Sequence, residues 1–375
     1  MVTEQLGNLF RVRSGDGISI ANLSAFGIYP VYGGNGVNGY TSNYNVENET
    51  MVIGRVGEKC GNVKITQSRG WVSDNALIVT PKVKYDIEYM RYLLEQINLN
   101  DYANRNAQPV ISGQIIYALE TPYVGDVDEQ GLIAQNLRCF DTYIDDLTEL
   151  IEKKRGIRDG ALDDLTAGRT RMEGFCGERK EYTISDITRT VITGGTPSTA
   201  RQEYYGGNIP WLSSTEIHQK RIKKPTTYIT DLGLQNSSAK IAPERSVLIA
   251  LAGQGKTRGT AAYLTRPMAL NQSLAALVTN EKCNPEFLYY LIESMYLSLR
   301  ELSSGDGGRG GLNKKLIKGV TVTIPVDVAE QEAIADTLTA MDEEIEELEI
   351  ERDKIIQIRE GAMDDLLTGR VRLSV

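Results

Sequence analysis

The feature that most restricts the fold of this chain is a long internal repeat. Residues 158–172 recur as residues 359–373 at an offset of 201, and the match continues without a gap back to Glu129, which corresponds to Glu330. A repeat at about half the length of a 375-residue chain indicates two copies of one structural unit. We therefore expect a molecule with an internal pseudo-twofold relation.

The repeat extends towards the N-terminus with a changing offset. Residues 86–95 match 284–293 at an offset of 198, and residues 9–15 resemble 187–194 at an offset near 178. The second copy therefore carries roughly twenty additional residues in its front half. Helical segments keep their register while the loops differ, as expected when the loops carry specificity.

Glycines at the same register separate this repeat from a similarity of composition. Two unrelated amphipathic helices would share Glu, Leu and Lys, but they would not both place a glycine at the positions of Gly160 and Gly361. A glycine inside a helix costs about 1 kcal/mol relative to alanine. Its presence in both copies indicates common descent or close backbone packing.

The chain is expected to contain four segments of α+β class. Two α/β globular domains, at 1–128 and 173–329, are separated by two long helices, at 129–172 and 330–375. Each globular domain has short β-branched runs, then one helix, a Gly/Asn-rich loop and an apolar strand that ends in proline. The predicted strands are 51–55, 62–66, 76–80 and 119–122 in the first domain, and 246–251, 259–264, 274–279 and 320–325 in the second.

Both long helices carry apolar residues at alternating steps of four and three, which is the seam of a coiled coil. The seam residues are Ile133, Leu137, Phe140, Ile144, Leu147 and Ile151 in the first helix and Ile334, Leu338, Met341, Ile345 and Leu348 in the second. From Ile133 to Leu165 the first helix spans roughly 50 Å at 1.5 Å per residue. We expect the two helices to pair antiparallel with each other; pairing between two chains is the alternative.

Charge is distributed unevenly along the chain. The net charge is −9, but residues 173–329 hold 19 basic and 14 acidic side chains, whereas residues 330–375 hold 5 and 14. The second globular domain is therefore locally basic, and a polyanionic partner responds to this local charge more than to the net charge of the chain. No apolar run is long enough to cross a membrane, and no signal pattern is present, so we expect a cytoplasmic protein. Four scattered cysteines and a single histidine, His218, argue against a zinc site and against a disulfide framework.

Three enzyme-like motifs lack the context that their chemistry needs. Residues 34–39 fit G-x-G-x-x-G, but no helical pattern follows, so a turn is predicted. Residues 253–257 resemble the end of a phosphate-binding loop, but Ala250 stands where a glycine is required, so a basic loop between strands is predicted. Residues 284–287 resemble a methyltransferase motif, but Asn284 followed by proline explains them as a helix start. No catalytic constellation remains, so we do not expect an enzyme.

Clusters of basic and amide side chains instead predict contacts with nucleic acid, because Lys and Arg hold phosphates and Arg, Asn, Gln, Ser and Thr read base edges. The candidates in the second domain are Ser213, Ser214, Lys220, Arg221, Lys223, Lys224, Gln254, Lys256, Thr257, Arg258, Arg309, Asn313 and Lys314. The candidates in the first domain are Tyr32, Asn35, Arg55, Lys59, Arg69, Asn75, Arg105 and Gln108.

The order of segments and four sequence strings resemble the specificity subunit of type I restriction–modification systems. The strings lie at residues 28–36, 209–213, 312–315 and 330–335, the last just after a strand that ends in proline. The resemblance covers nearly the whole chain, and the order of the strings is more specific than any one of them.

The resemblance implies two target-recognition domains that each read one half of a split site in double-stranded DNA. It also implies helices that dock two methyltransferase subunits, and ATP-dependent restriction and translocase subunits in the assembly. S-adenosylmethionine, ATP and Mg would then be bound by those partners, and this chain would bind no cofactor. The first domain departs from the pattern, because it lacks the Ile-Pro-Trp string of residues 209–211 and is net acidic.

Two other interpretations remain open at this point. One is the specificity subunit of a related system in which cleavage and methylation share one partner. The other is a coiled-coil interaction protein that does not bind DNA.

Overall fold

The computed structural model describes residues 2–106, 108–253, 255–303 and 311–373, and it contains two compact units. Unit 1 comprises Met1–Glu149 and Glu349–Val375, and unit 2 comprises Leu150–Leu348. Each unit combines a mixed α+β globular part with portions of two long helices, so the predicted α+β class is confirmed.

The N-terminal segment of unit 1 begins with short strands and ends in the first long helix. Its elements are β1 (Val2–Gln5), α1 (Leu6–Leu9), β2 (Phe10–Ser14), β3 (Tyr29–Gly33), β4 (Gly36–Thr41), β5 (Met51–Gly54), β6 (Val63–Ile65), β7 (Trp71–Val72), β8 (Ala76–Pro81), α2 (Ile87–Ile97), α3 (Gly113–Ala118), β9 (Glu120–Tyr123) and the start of α4 (Val127–Ala167). The strands form an antiparallel sheet in the order β2-β8-β5-β6, a smaller sheet β4-β3-β7, and the pair β1-β9.

The core of unit 1 lies between its four-stranded sheet and α2. Asp86 accepts a hydrogen bond from the Tyr89 backbone and caps the start of α2, whose tyrosines Tyr89 and Tyr92 are fully buried. Leu366 and Leu367, at the end of the second long helix, pack into the same core. The last turns of α9 therefore belong to the same core as the N-terminal residues Leu6, Leu9 and Phe10.

Unit 2 repeats this plan with more strands. Its elements are β10 (Arg179–Thr183), β11 (Thr188–Thr193), β12 (Tyr205–Leu212), β13 (Arg221–Ile222), β14 (Thr227–Ile229), α5 (Asp231–Gln235), β15 (Lys240–Ala242), β16 (Val247–Ala250), β17 (Ala261–Leu264), β18 (Met268–Leu270), β19 (Leu274–Thr279), α6 (Pro285–Ser294), α7 (Tyr296–Leu302), α8 (Lys314–Lys318), β20 (Thr321–Pro325) and the start of α9 (Val328–Leu367). The sheets have the orders β11-β19-β16-β17-β13, β14-β12-β18-β15 and β10-β20.

The core of unit 2 surrounds α6. Asn284 accepts hydrogen bonds from the backbone of Glu286 and Phe287, and Pro285 occupies the first helical turn, so the predicted helix start is confirmed. Leu162 and Leu165, from the end of α4, belong to this core together with Ile334 and Leu338 from the start of α9.

Within each unit, opposite ends of the two long helices make contact. In unit 1, Arg359 of α9 donates to Asp141 of α4 at 2.5 Å. In unit 2, Arg158 of α4 donates to Asp342 of α9 at 2.8 Å. Among the seam residues, Ile133, Leu137, Leu147, Ile151, Ile334, Leu338 and Ile345 are buried, and Phe140, Ile144, Met341 and Leu348 are half-buried.

All eight strand predictions are confirmed within one or two residues, for example β5, β16 and β20. Residues 34 and 35 form the predicted turn, here between β3 and β4. The basic segment after β16 is the predicted loop before β17.

The close packing that we considered for the helical glycines is not observed. A Cβ built on Gly160 or on Gly361 meets no atom within 4 Å among the described residues. Common descent of the two copies therefore remains as the explanation that the sequence offered.

Candidate nucleic-acid interface

In unit 2, the candidate residues Lys256, Thr257 and Arg258 lie in the loop between β16 and β17. Gly253, Gly255 and Gly259 in this loop have φ angles of 146°, 59° and 85°, which favour glycine. These turns leave Lys256 exposed and Thr257 and Arg258 half-buried. The Nε atom of Arg258 is enclosed and has no hydrogen-bond partner among the described residues.

A short 3₁₀ helix, Ser214–Gln219, lies against this loop and follows Ser213. His218 Nε2 is 3.2 Å from the Thr257 hydroxyl, which joins the two segments. Ser213 and Ser214 are therefore near the basic loop, and both are half-buried.

Glu216 holds this 3₁₀ helix in place. Its carboxylate is 5% exposed and accepts hydrogen bonds from the Ser213 backbone (3.1 Å) and from the hydroxyls of Ser213 (2.8 Å), Thr215 (2.9 Å) and Thr226 (2.6 Å). Burial opposes the charge, but these four donors outweigh it and lower the pKa of Glu216. The carboxylate thus orders a polar segment with no cationic partner among the described residues.

The remaining candidates of unit 2 have different environments. Lys223, Lys224 and Lys314 are exposed, and Lys220 is exposed with its amine 3.7 Å from Glu293. Asn313 accepts from the backbone of Lys315 and Leu316 and thereby caps α8. Gln254 and Arg309 lie outside the described residues.

Arg221 is held by an ion pair and hydrogen bonds within unit 2. Its guanidinium donates to Glu286 at 2.6 Å and to the Thr339 hydroxyl at 2.7 Å, so it joins β13 to α6 and α9. Burial lowers its pKa, but the hydrogen bond with Glu286 and further contacts outweigh that effect and raise it. A base contact by Arg221 would require breaking these bonds.

In unit 1, four candidates gather where loops follow the strands. Arg55 donates to the Ser14 hydroxyl at 3.2 Å, and its backbone N–H donates to the Asn75 carbonyl. A Cβ on Gly34, next to Asn35, would lie 3.3 Å from that same carbonyl. Gln108 lies in a segment whose neighbour Pro109 accepts from the backbone of Gly57.

Lys59 and Arg105 flank this group. Lys59 is exposed in the loop between β5 and β6. Arg105 donates to the Asn100 side chain at 2.6 Å, and Asn100 in turn donates to the backbone of that loop, to Glu58 at 2.8 Å. Arg105 therefore supports the loop from one side.

Tyr32 and Arg69 are separate from that group. Tyr32 is 6% exposed, and its hydroxyl accepts from the Gln67 backbone, so it is a core residue with little surface for a ligand. Arg69 is exposed, pairs with Glu47 at 3.2 Å and lies over the Tyr44 ring.

Sequence reasoning missed two arginine networks. Arg158 is 5% exposed and donates to Asp342 and, at 2.5 Å, to Glu293, while the Tyr290 hydroxyl donates to Asp342 at 2.9 Å. The corresponding residues in unit 1 make the same network: Arg359 donates to Asp141 and Glu95, and Tyr92 donates to Asp141. The signal was available, because all four residue types recur at the offsets of the repeat.

Other kinds of site are not indicated in the parts of the chain that the structure describes. They contain no group of three or more His, Cys, Asp or Glu that could hold a metal ion. They also contain no helix with the length and apolarity needed to cross a membrane.

Comparison with known proteins agrees with the two-unit architecture. A family model described as the type I restriction modification DNA specificity domain matches residues 1–155 and 177–358. The specificity subunit of the type I restriction enzyme EcoprrI of Escherichia coli is 32% identical over 153 residues, which is 40% of this chain and 38% of that subunit. The chain thus matches about two fifths of the length of that relative.

Two further similarities extend along almost the whole chain. A putative type I specificity subunit of Mycoplasma pneumoniae is 22% identical and is aligned over 96% of this chain and 94% of its own. The crystal structure of a type I restriction–modification S subunit from Mycoplasma genitalium has a TM-score of 0.68 at 17% identity, covering 98% of this chain and 96% of that one. At 17% identity, the structural match indicates a shared fold and nothing further. Because the family model covers both globular parts and most of both long helices, this chain belongs to the type I restriction modification DNA specificity domain family.

Proposed function

We propose that this chain is the DNA sequence-specificity subunit of a type I restriction–modification enzyme. It reads a bipartite target in double-stranded DNA, scaffolds the other subunits and has no active site of its own. The observation that carries the proposal is that the family model matches two successive parts of the chain, residues 1–155 and 177–358. Each unit also has a glycine-rich loop with an exposed lysine, Lys59 in unit 1 and Lys256 in unit 2.

The proposed architecture has two target-recognition domains, 1–128 and 173–329, and two spacer helices, 129–172 and 330–375, that form an antiparallel coiled coil with a pseudo-twofold relation. The matching contacts within each unit support it, because early residues of one helix meet late residues of the other. A helix of 41 residues spans about 60 Å.

The proposed DNA contacts are the candidates that remain exposed or half-buried around the two loops. In unit 2 they are Ser213, Ser214, Lys220, Lys223, Lys224, Lys256, Thr257, Arg258 and Lys314. In unit 1 they are Asn35, Arg55, Lys59, Asn75 and Gln108, with Arg69 as an outlying phosphate contact. Lysines at loop tips suit phosphates, whereas the guanidinium of the half-buried Arg258 suits a base edge.

We further infer that two methyltransferase subunits dock on the spacer helices and that ATP-dependent restriction and translocase subunits complete a cytoplasmic assembly. In such an assembly, S-adenosylmethionine, ATP and Mg are bound by the partners. Family membership supports this inference.

Methylome sequencing tests the proposed function. Cells with and without this gene, each carrying the neighbouring methyltransferase gene, are compared by single-molecule sequencing. We expect a split adenine motif that disappears with this gene. Absence of any such motif would contradict the proposal.

Variants in the basic loop test the contact residues. We expect Arg258→Ala to relax one half of the split motif and to weaken binding by about 1–3 kcal/mol if a bidentate base contact is lost. We expect Lys256→Ala to weaken binding to all sequences and to reduce its salt dependence. Absence of salt-dependent DNA binding by the complex would favour a coiled-coil interaction protein instead.

A further inference from the structure

We propose that Asn100 in unit 1 and the pair Tyr296 and Arg300 in unit 2 are positioning residues that hold the two DNA-reading loops by their backbone carbonyls. This inference rests on the proposed function and deepens it. It assigns a role in sequence discrimination to residues that lie behind the loops and act through the loop backbone instead of through DNA contacts of their own.

In unit 2, the holding residues come from α7. The Tyr296 hydroxyl donates to the Lys256 carbonyl at 3.1 Å. Arg300 donates to the Gly255 carbonyl at 2.5 Å and to the Tyr296 hydroxyl at 2.8 Å, so the two side chains form one polar bracket. A Cβ on Gly259 would come within 3.3 Å of the Arg300 side chain, which shows how closely the loop lies on this bracket.

In unit 1, the side-chain amide of Asn100 holds the loop between β5 and β6 in the same way and forms the second bracket. The Asn100 amide donates to the Glu58 carbonyl at 2.8 Å and to the Cys60 carbonyl at 2.7 Å, on either side of Lys59. Arg105 donates to the oxygen of the same amide at 2.6 Å, which fixes the orientation of its NH₂ group. Gly61 has a φ of 85°, and its Cβ would lie 2.6 Å from the Asn100 backbone nitrogen, so the loop approaches closely here too.

The two brackets occupy matching places in the fold but use different side chains. Each follows the main buried helix of its unit, α2 or α6, and each reaches the loop after the central strand, β5 or β16. Neither bracket contacts the lysine side chain of its loop in these hydrogen bonds, and Lys59 and Lys256 are exposed. Because a base contact depends on placement within a few tenths of an ångström, a loop released from its bracket loses discrimination before it loses charge.

Half-site discrimination is the measurement that separates positioning from general stability. The complex of this chain with its methyltransferase subunits is titrated with three duplexes: the cognate site, and sites with one or the other half scrambled. The variants are Asn100→Ala for unit 1, and Tyr296→Phe and Arg300→Met for unit 2. Asn236→Ala is the matched control, because its side chain also donates to a backbone carbonyl, that of Leu232, at 2.9 Å.

We expect each bracket variant to lower discrimination at one half-site about tenfold, roughly the effect of losing one to two net hydrogen bonds. Asn100→Ala should affect one half-site and the two unit 2 variants the other, so each group is the control for the other. Arg300→Lys should recover part of the loss, because an ammonium can still donate to the Gly255 carbonyl. The salt dependence of binding should not change, because the lysines remain.

Equal loss at both half-sites, or no loss, would overturn the inference while leaving the proposed function standing. A wild-type complex that does not distinguish the three duplexes would overturn both. Thermal unfolding of each variant identifies a failure to fold, and Tyr296→Phe, which removes one oxygen atom, keeps the test decisive if Arg300→Met unfolds.

Discussion

At the scale of single residues, the buried arginines carry the largest energetic consequences. Arg158 pairs with Asp342 and Glu293 and, at 3.4 Å, with the exposed Asp159, and its side chain is 5% exposed. Removing one member of a buried ion network leaves the others charged without a partner, which costs about 3–5 kcal/mol. The network therefore joins α4, α6 and α9 within unit 2 more firmly than any surface pair could.

We predict that Arg158→Ala lowers the free energy of unfolding of unit 2 by about 3–5 kcal/mol, measured by urea denaturation with a tryptophan signal from Trp211. Arg201→Ala is the matched control, because Arg201 pairs with Glu203 on the surface with 61% of its side chain exposed, and such pairs contribute about 0–1 kcal/mol. Equal small effects for the two variants would contradict the role given to Arg158.

Glu216 gives a prediction that depends on pH. Because its pKa is lowered in the folded protein from 4.5, its charged form stabilises the fold above that pH, and this contribution is lost as the pH falls through the folded pKa. Glu216→Gln should therefore destabilise unit 2 by about 1–3 kcal/mol near pH 7, where the amide leaves some donors unmatched.

The difference between wild type and Glu216→Gln should shrink as the pH is lowered below 4.5, measured by urea unfolding across pH 3–7. Thr265→Val is a suitable comparison, since the Thr265 hydroxyl donates to the backbone carbonyl of Ile222, which does not titrate. A difference that stays constant with pH would argue against a charged Glu216.

At the scale of elements, the helical glycines make a test of packing. Because Gly160 in α4 and Gly361 in α9 have open space around their Cβ positions, alanine should fit and should stabilise each helix by about 0.5–1 kcal/mol. Circular dichroism during thermal unfolding would measure this gain. Gly194→Ala is the contrasting control, because its Cβ would lie 1.7 Å from the Leu270 carbonyl oxygen. Destabilisation by Gly160→Ala would show that something in the chain does pack there.

Elements with local signals could be predicted from the sequence. The β-branched runs of β5, β8 and β19 and the cap at Asn284 depend on near neighbours, so their patterns are visible in the chain. The sheet built on β12 was not predicted. That strand contains Gly206, Gly207 and Pro210, which weaken any strand pattern, and its parallel partner β18 lies more than fifty residues later.

The candidate site was predictable in part for the same reason. Lys256 and Arg258 were predicted to share a basic loop beside glycines, and the structure places both between β16 and β17, with Lys256 exposed and Arg258 half-buried. Arg221 belongs to a basic run, but its partners Glu286 and Thr339 are distant in sequence, so only the fold reveals that it points inward. Asn100 and Tyr296 carry no charge, and what they hold is backbone that is distant in sequence, so no pattern singled them out.

At the scale of the whole molecule, each compact unit takes helix residues from both halves of the chain. A cut between Ala167 and Arg179 would therefore leave each fragment with a long helix and a globular part that lack their partners. We predict that fragments 1–174 and 175–375 are poorly stable alone and recover native unfolding behaviour when they are mixed in equal amounts. Calorimetry of the separate and mixed fragments would measure this, and two separately stable fragments would contradict it.

The two arginine networks attach each globular part to the pair of long helices through the same residue types. Each globular part brings a tyrosine and a glutamate, Tyr92 with Glu95 or Tyr290 with Glu293, to a helix pair that presents an arginine and an aspartate. The two attachment points are chemically interchangeable. On the proposed function, one recognition segment could replace another without a new joint, because the residues that attach a globular part to the helix pair are of the same types in both units.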